Sequence, residues 1–237
     1  MMPLSPSLPF LGQYFSSAQY DWNKFAPDEC LTLEKNTVVI QLKKNEVLFE
    51  QGEHPKGIYR VVSGKVKFYK AGVNGGEQVL AICSWNDIFG YRVLITNEMN
   101  LTSASALEPT VVELIPREVF LKVLRESVVF SNMILLKISL DFGIWINRSV
   151  FFAQSDIRTR LAVVLLILNE KFKSPKALTH TSSIHISRTD LAAYIGSSLE
   201  ALVRALKKFA QEGLVSVRGK NIVITNLEHM LEVAGTI

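Results

Sequence analysis

Residues 187–224 constrain the fold of this chain more than any other stretch. Ser187 stands where it caps a helix running Arg188-Thr189-Asp190-Leu191-Ala192-Ala193-Tyr194-Ile195, and Asp190, three residues on, completes a capping box with a shortened carboxylate. Gly196-Ser197-Ser198 then breaks the run. A second helix follows from Leu199 to about Glu212, with Leu202, Ala205, Leu206 and Phe209 at the i, i+3, i+4, i+7 spacing of one buried stripe. Glu200, Arg204, Lys207 and Lys208 occupy its other face. Gly213 ends this helix, and Leu214–Val217, Arg218–Asn221 and Ile222–Ile224 read as strand, turn and strand. The order predicts a winged helix-turn-helix, whose second helix enters the DNA major groove while the wing touches the backbone.

Charge falls on the same part of the chain. Residues 1–150 hold 15 Lys and Arg against 15 Asp and Glu, whereas residues 151–237 hold 11 against 7, so the net +4 lies in the last third. A polyanion is the simplest partner for that asymmetry, although a solvated surface produces the same count. A length of 237 residues, 48% hydrophobic and 20% charged, suits two domains with sizeable cores and argues against disorder. Met1–Phe15 has three prolines and no positive residue, unlike a secretory signal, and the expectation is a cytoplasmic protein. The longest uninterrupted apolar run, Leu161–Leu168, is eight residues, well below the roughly 20 needed for a bilayer, so no membrane span is expected. Cys30 and Cys83 are too sparse for a disulfide framework and read as reduced, buried thiols.

From Thr37 to Pro116, β-prone runs alternate with turn signals about every ten residues, the cadence of a sandwich or jelly roll. The runs are Thr37–Leu42, Glu46–Phe49, Ile58–Val62, Lys65–Tyr69, Gln78–Ile82, Leu101–Leu107 and Thr110–Ile115, with a hairpin signal at Asn74-Gly75-Gly76. After Pro116 the pattern becomes helical: Arg117–Glu126, then a long helix from Val128 to about Phe152. Along it Met133, Leu136, Leu140, Ile144, Asn147 and Phe151 recur at three- and four-residue steps, as for a face buried on its own domain or on a second copy. Gln154-Ser155-Asp156 breaks the run as a hinge, and Asp156 caps a further helix, Ile157–Lys171.

Barrel, long helix, hinge and winged helix-turn-helix in this order resemble the CRP/FNR family of bacterial transcription regulators from about Val38 onward. The matching stretches are Phe49-Glu50-Gln51-Gly52-Glu53, Gly57-Ile58-Tyr59, Ser63-Gly64-Lys65-Val66, Gly76-Glu77-Gln78 through Asn86-Asp87-Ile88-Phe89-Gly90, and Asp156 to Ala162. Most specific is Gly196 to Lys207, with Glu200 and Arg204 where the family places its base-reading pair. The resemblance implies an α+β architecture. A cyclic-nucleotide-binding-like jelly roll would occupy residues 1–127, a dimerisation helix and hinge 128–155, and the winged helix-turn-helix 156–237. It also implies a homodimer acting on double-stranded DNA at half-sites with a TGA-like core, with RNA polymerase as a further partner and no enzymatic activity.

Chemistry assigns the residues roles. Arg204 can present two donors to guanine O6 and N7, and Glu200 can accept from cytosine N4; equally, the two are i, i+4 and can form a surface ion pair, with Glu200 closing a capping box on Ser197. Leu199 stands where the cyclic-AMP-receptor branch has arginine and the oxygen-sensing branch an apolar residue. It suits either a thymine methyl or the edge of the Leu202–Leu206 stripe. Ser187, Arg188, Ser198, Lys207, Lys208, Arg218 and Lys220 suit phosphate contacts, which position without specifying sequence. The basic face at Arg204, Lys207 and Lys208 argues against the alternative, a helix-turn-helix turned to a protein partner.

The effector side reads differently. Members that bind cyclic AMP hold the ribose with a glutamate after Phe-Gly and the phosphate with an Arg-Ser pair. Here Tyr91 follows Phe89-Gly90, Asn100-Leu101 lies near the Arg-Ser place, and Arg92 is one residue out of register. The anion clamp is lost, cyclic AMP is not expected to act, and the effector is left unidentified. Two distant cysteines cannot supply the four thiolates of an all-cysteine iron–sulfur cluster. His54, His180, His185 and His229 show neither haem-ligand nor cupin-type metal clustering, so no cofactor and no metal is expected.

Overall fold

The computed structural model describes residues 32–72, 75–173 and 181–235; Cys30, Asn74 and His180 lie outside them. These residues form two compact units, one of residues 32–71 with Leu80–Asp141, the other of Gly72–Val79 with the chain from Phe142 onward.

Eight antiparallel strands make the β-domain: β1 (Val38–Leu42), β2 (Val47–Phe49), β3 (Gly57–Ser63), β4 (Val66–Ala71), β5 (Glu77–Cys83), β6 (Ile88–Phe89), β7 (Ser103–Ala106) and β8 (Thr110–Pro116). They form two four-stranded sheets, ordered β1-β8-β3-β6 and β2-β7-β4-β5, the jelly-roll arrangement expected. The two-residue period of β3 sends Tyr59 and Val61 into one cluster, with Phe49, Val66, Phe89, Ala104 and Val112 from both sheets. Ile58 points the other way, to Ile88, Ile115 and the helices. Gly57 lets β3 and β8 approach closely: a Cβ there would lie 2.0 Å from the Ile115 carbonyl oxygen. Cys83 is half-buried rather than buried.

Two elements here escaped the sequence reading. β6 is only two residues long, and a six-residue helix, α1 (Tyr91–Thr96), follows it from Gly90, which sits in the left-handed region at φ 91°. Tyr91 and Leu94 of α1 then join Phe120 and Val123 of α2 (Arg117–Glu126) and Phe130 and Ile134 of α3 (Val128–Gln154) behind the sheet.

Helix α3 is apolar on every side, which explains why spacing alone did not find its exposed face. Of the six residues picked by periodicity, Leu136 is exposed, whereas Met133, Leu140, Ile144, Asn147 and Phe151 are half-buried. The exposed apolar stripe consists of Val128, Val129, Leu135, Leu136, Phe142, Trp145, Ile146 and Val150. By length and composition this helix is apolar enough to cross a membrane, which a count of uninterrupted apolar residues does not register because Lys137, Asp141, Asn147 and Arg148 punctuate it.

After Ser155, Asp156 caps α4 (Ile157–Lys171), its Oδ1 accepting from the Thr159 amide at 2.8 Å. Residues 161–169 of α4 are all buried, so other elements cover it on all sides. These are α5 (Arg188–Ile195), α6 (Leu199–Gln211), α7 (Leu227–Val233) and a sheet ordered β10-β11-β9 from β9 (Ile184–His185), β10 (Val215–Arg218) and β11 (Asn221–Ile224). Neither β9 nor α7 was anticipated. α7 carries the signal, with Asn226 as its cap and Leu227, Met230 and Leu231 in helical phase.

The Asp156 cap gives a direct test. The Thr159 amide, by hydrogen bonding, holds the Asp156 carboxyl below the ordinary carboxylate range. Asp156→Ala should cost about 1 kcal/mol in urea unfolding at pH 7, and Asp156→Asn much less. Because the folded-state pKa is the depressed one, the wild-type advantage over Asp156→Ala is complete above the unfolded value and should shrink as pH falls through the folded one. An unchanged midpoint for Asp156→Ala would contradict the cap.

Candidate nucleic-acid interface

Both helix-turn-helix elements begin where serine chemistry sets them. Ser187 Oγ accepts from the Asp190 amide at 2.9 Å and donates to Asp190 Oδ2 at 2.5 Å, fixing the start of α5. Gly196 ends α5 in the left-handed region, φ 65°, as the tight turn requires. The cap of α6 is Ser198, accepting from the Ala201 amide at 3.2 Å, and not the Ser197 of the proposed capping box. One lone pair of Ser198 is therefore engaged, while its hydroxyl proton stays available to an acceptor outside the helix.

α6 is sharply two-faced. Leu202, Leu206 and Phe209 are buried, and Ala205 is half-buried beside them. Phe209 is held from α4 by the Arg158 guanidinium, 5.2 Å from the ring centroid, and Arg158 makes two hydrogen bonds to Glu212, at 3.0 and 2.6 Å. That pairing keeps the Glu212 carboxyl below its ordinary range. The opposite face exposes Leu199, Glu200, Val203, Arg204, Lys207 and Lys208. Leu199 is 49% exposed, so it lies outside the buried stripe. Among the described residues no ion pair joins Glu200 to Arg204. Val203, equally exposed, sits between them and was passed over because an apolar residue in a helix reads first as core.

The wing is a two-residue turn, Gly219-Lys220, between Arg218 and Asn221, which face each other across β10 and β11. Arg218 and Lys220 are exposed. Arg188, at the first position of α5, turns toward the wing: Nη2 donates to the Gly219 carbonyl at 2.7 Å, and Nη1 is buried without a hydrogen-bond partner. Burial lowers the pKa of its guanidinium. β9 adds a third strand through Ile184 opposite Ile222, and His185 Nδ1 lies 2.7 Å from Asn221 Oδ1. Helix face and wing tip thus place Leu199, Glu200, Val203 and Arg204 on one exposed helix face, and Arg218 and Lys220 on the wing.

The six residues named for an effector do not share one environment. Phe89 is in the interior of the β-domain, 5.3 Å from Tyr59 and 4.8 Å from Phe68, while Phe49 lies 5.6 Å from Tyr59 and 6.1 Å from Phe68 (ring centroids). Burial there pushes the Tyr59 phenol up to about 12. Gly90 begins α1, and Tyr91 is buried on the far side of the sheet, donating its hydroxyl to Asp141 of α3. Lys137 pairs with the same carboxylate at 2.8 Å. Arg92 and Leu101 are exposed; Asn100 is buried, its backbone bonded to Gly52 and Glu53.

Two family models match in tandem: the cyclic nucleotide-binding domain over residues 39–127 and the Crp-like helix-turn-helix domain over residues 159–233. The chain is 26% identical over 195 residues to the anaerobic regulatory protein of Haemophilus influenzae, covering 82% of this chain and 76% of that one. It is likewise 26% identical over 194 residues to the fumarate and nitrate reduction regulatory protein of Vibrio cholerae, covering 82% and 77%. The chain belongs to the CRP/FNR family of transcription regulators. Solved structures agree on the fold. FixK2 from Bradyrhizobium japonicum superposes with a TM-score of 0.71 at 22% identity, covering 83% of this chain and 96% of that one. A CRP/FNR-family regulator from Thermus thermophilus gives 0.68 at 20% identity, covering 84% and 98%. As a CRP/FNR-type regulator, the protein carries its DNA-binding activity in the helix-turn-helix domain, and the two-faced α6 is the second helix of the helix-turn-helix itself.

Proposed function

We propose that this CRP/FNR regulator acts in the cytoplasm as a homodimer closed by α3, reads a two-fold DNA site with Leu199, Glu200 and Arg204, works with RNA polymerase and does not respond to cyclic AMP. The observation that carries the reading is the exposed face of α6. Arg204 and Glu200, one turn apart and not paired with each other, are available to adjacent base pairs, and Leu199 and Val203 beside them suit thymine methyls. Lys207, Lys208, Arg218, Lys220 and the Ser198 hydroxyl suit phosphates, with Arg188 acting through the wing, whereas the Ser187 hydroxyl proton is already given to Asp190.

The eight-residue apolar stripe on α3 supports the dimer. A stripe of this extent is an interaction surface in a soluble protein. A two-fold partner is favoured because two reading helices about 34 Å apart meet successive major grooves. A lipid environment suits the helix less well, since Phe130, Ile134 and Arg148 are buried against its own chain. The jelly roll is read as a scaffold: aromatic rings fill its interior, and Tyr91 spends its hydroxyl on Asp141 where the family's ribose-binding glutamate would stand. A phosphate monoanion without a paired cation costs several kcal/mol to bury. No catalysis is proposed.

Three measurements test this reading. In sedimentation the wild type should be a dimer and Phe142→Glu a monomer that has lost tight binding to a two-fold site; a wild-type monomer that binds such a site tightly would sink the seam. On DNA, Arg204→Ala should cost about 1–3 kcal/mol on the specific site and relax preference at one base pair of a TGA-like half-site, whereas Lys208→Ala should weaken all sequences alike and lower the salt slope by about one. Equal effects of both changes on specific and random DNA would refute the assignment. Calorimetry with cyclic AMP should show no binding, and micromolar affinity abolished by Arg92→Ala would overturn the scaffold reading.

A further inference from the structure

Among the described residues Arg148 is the one arginine that the fold buries, at 7% exposure. It lies within the second unit, on the part of α3 that carries the exposed residues Trp145, Ile146 and Val150. Its guanidinium carbon is 5.6 Å from the ring centroid of Trp145, 4.8 Å from Phe152 and 4.9 Å from Tyr194, and its Nη2 donates to the Val79 carbonyl at 3.2 Å. Trp145 and Phe152 are its helix neighbours at i−3 and i+4. Tyr194, 1% exposed, belongs to α5, the first helix of the helix-turn-helix.

The neighbouring contacts converge on the same point. Gln78 Nε2 donates to the Ala193 carbonyl, one residue from Tyr194, and Arg160 Nη1 donates to the Gly196 carbonyl at 3.2 Å, in the turn itself. The end of α5 is thus held from three elements of its own unit. Apolar side chains would fill this space at a lower desolvation cost than a guanidinium. What arginine adds is direction: a flat cation that stacks on several rings at once while donating along a fixed line.

We propose that Arg148 is a positioning residue that fixes α5 against the dimer helix, so that the two α6 helices meet DNA at one set separation. The proposal rests on the dimer reading above. Trp145 is 43% exposed and lies on the stripe read as the seam, so one side chain, Arg148, connects seam to reading head through two aromatic faces. Removing it leaves α6 and its exposed residues intact but lets each reading head change its angle to the seam. Affinity for one half-site then survives, and the gain from the second half-site, an effective-concentration effect, is lost.

The test uses full-length wild type, Arg148→Met and Arg148→Lys, with sedimentation and thermal unfolding run on each. Affinities are measured on duplexes bearing one TGA-like half-site, or two at separations stepped by single base pairs around one helical turn. Wild type should gain on the order of 10² from the second half-site, with a sharp optimum in spacing. Arg148→Met should stay dimeric, bind the single half-site within about twofold of wild type, lose about tenfold of the two-site gain and show a flattened spacing profile. Arg148→Lys, which keeps the charge but not the stacked plane, should fall between them, and it carries the test if the methionine variant does not fold. A folded, dimeric variant with the wild-type gain and spacing optimum overturns the role of Arg148 alone. A monomeric wild type overturns the dimer reading and this proposal with it.

Discussion

The burial of residues 161–169 of α4 on every side is the constraint from which the DNA-binding unit follows. A helix with residues 161–169 all buried has no polar face to turn to water, so it is stable only when wrapped. α5, α6, α7 and β11 provide the wrapping, and each becomes two-faced in doing so. Leu202, Leu206 and Phe209 are spent on that packing, which leaves Leu199, Glu200, Val203, Arg204, Lys207 and Lys208 pointing outward. The exposed face of α6 is thus the remainder of a packing problem. It is held firmly because the Arg158–Glu212 pair and the Arg158–Phe209 contact tie α6 to α4 at its far end.

α3 poses the opposite problem. It is no less apolar than α4, yet its stripe from Val128 to Val150 is exposed among the described residues. Its first half is anchored by Phe130 and Ile134 in the helix cluster of the β-domain and by the Asp141 carboxylate shared between Tyr91 and Lys137. Its second half is anchored by Arg148. An exposed apolar surface on a rigidly anchored helix is what a two-fold symmetric association requires, since both copies must present the same patch in the same shape.

How much of this was legible in the sequence depended on how local the determining chemistry is. The bounds of α4, α5 and α6 followed from caps and breakers within a few residues: Asp156, Ser187, Gly196, Gly213. The strand cadence of the β-domain was equally plain. What escaped was set by distant partners. β9 is two residues that count as a strand only because Asn221 and Ile222 pair with them, and β6 exists through Tyr59 and Arg60. Ser197 and Ser198 are chemically equal as caps, and only the backbone of the turn chooses the second. On α3, period counting failed because apolar residues occur on every side of the helix. For α6 the candidate residues were legible as a set, while Val203 needed the structure to separate exposed from buried apolar positions.

The central claim is that two copies of the α6 face read one symmetric DNA site. Selection of bound duplexes from a random pool by the full-length protein tests it most directly. The expected outcome is enrichment of a two-fold palindrome, its half-sites centred about 10 base pairs apart, with guanine fixed at the position opposite Arg204. Enrichment of a single asymmetric motif, or no enrichment over the starting pool, would contradict it.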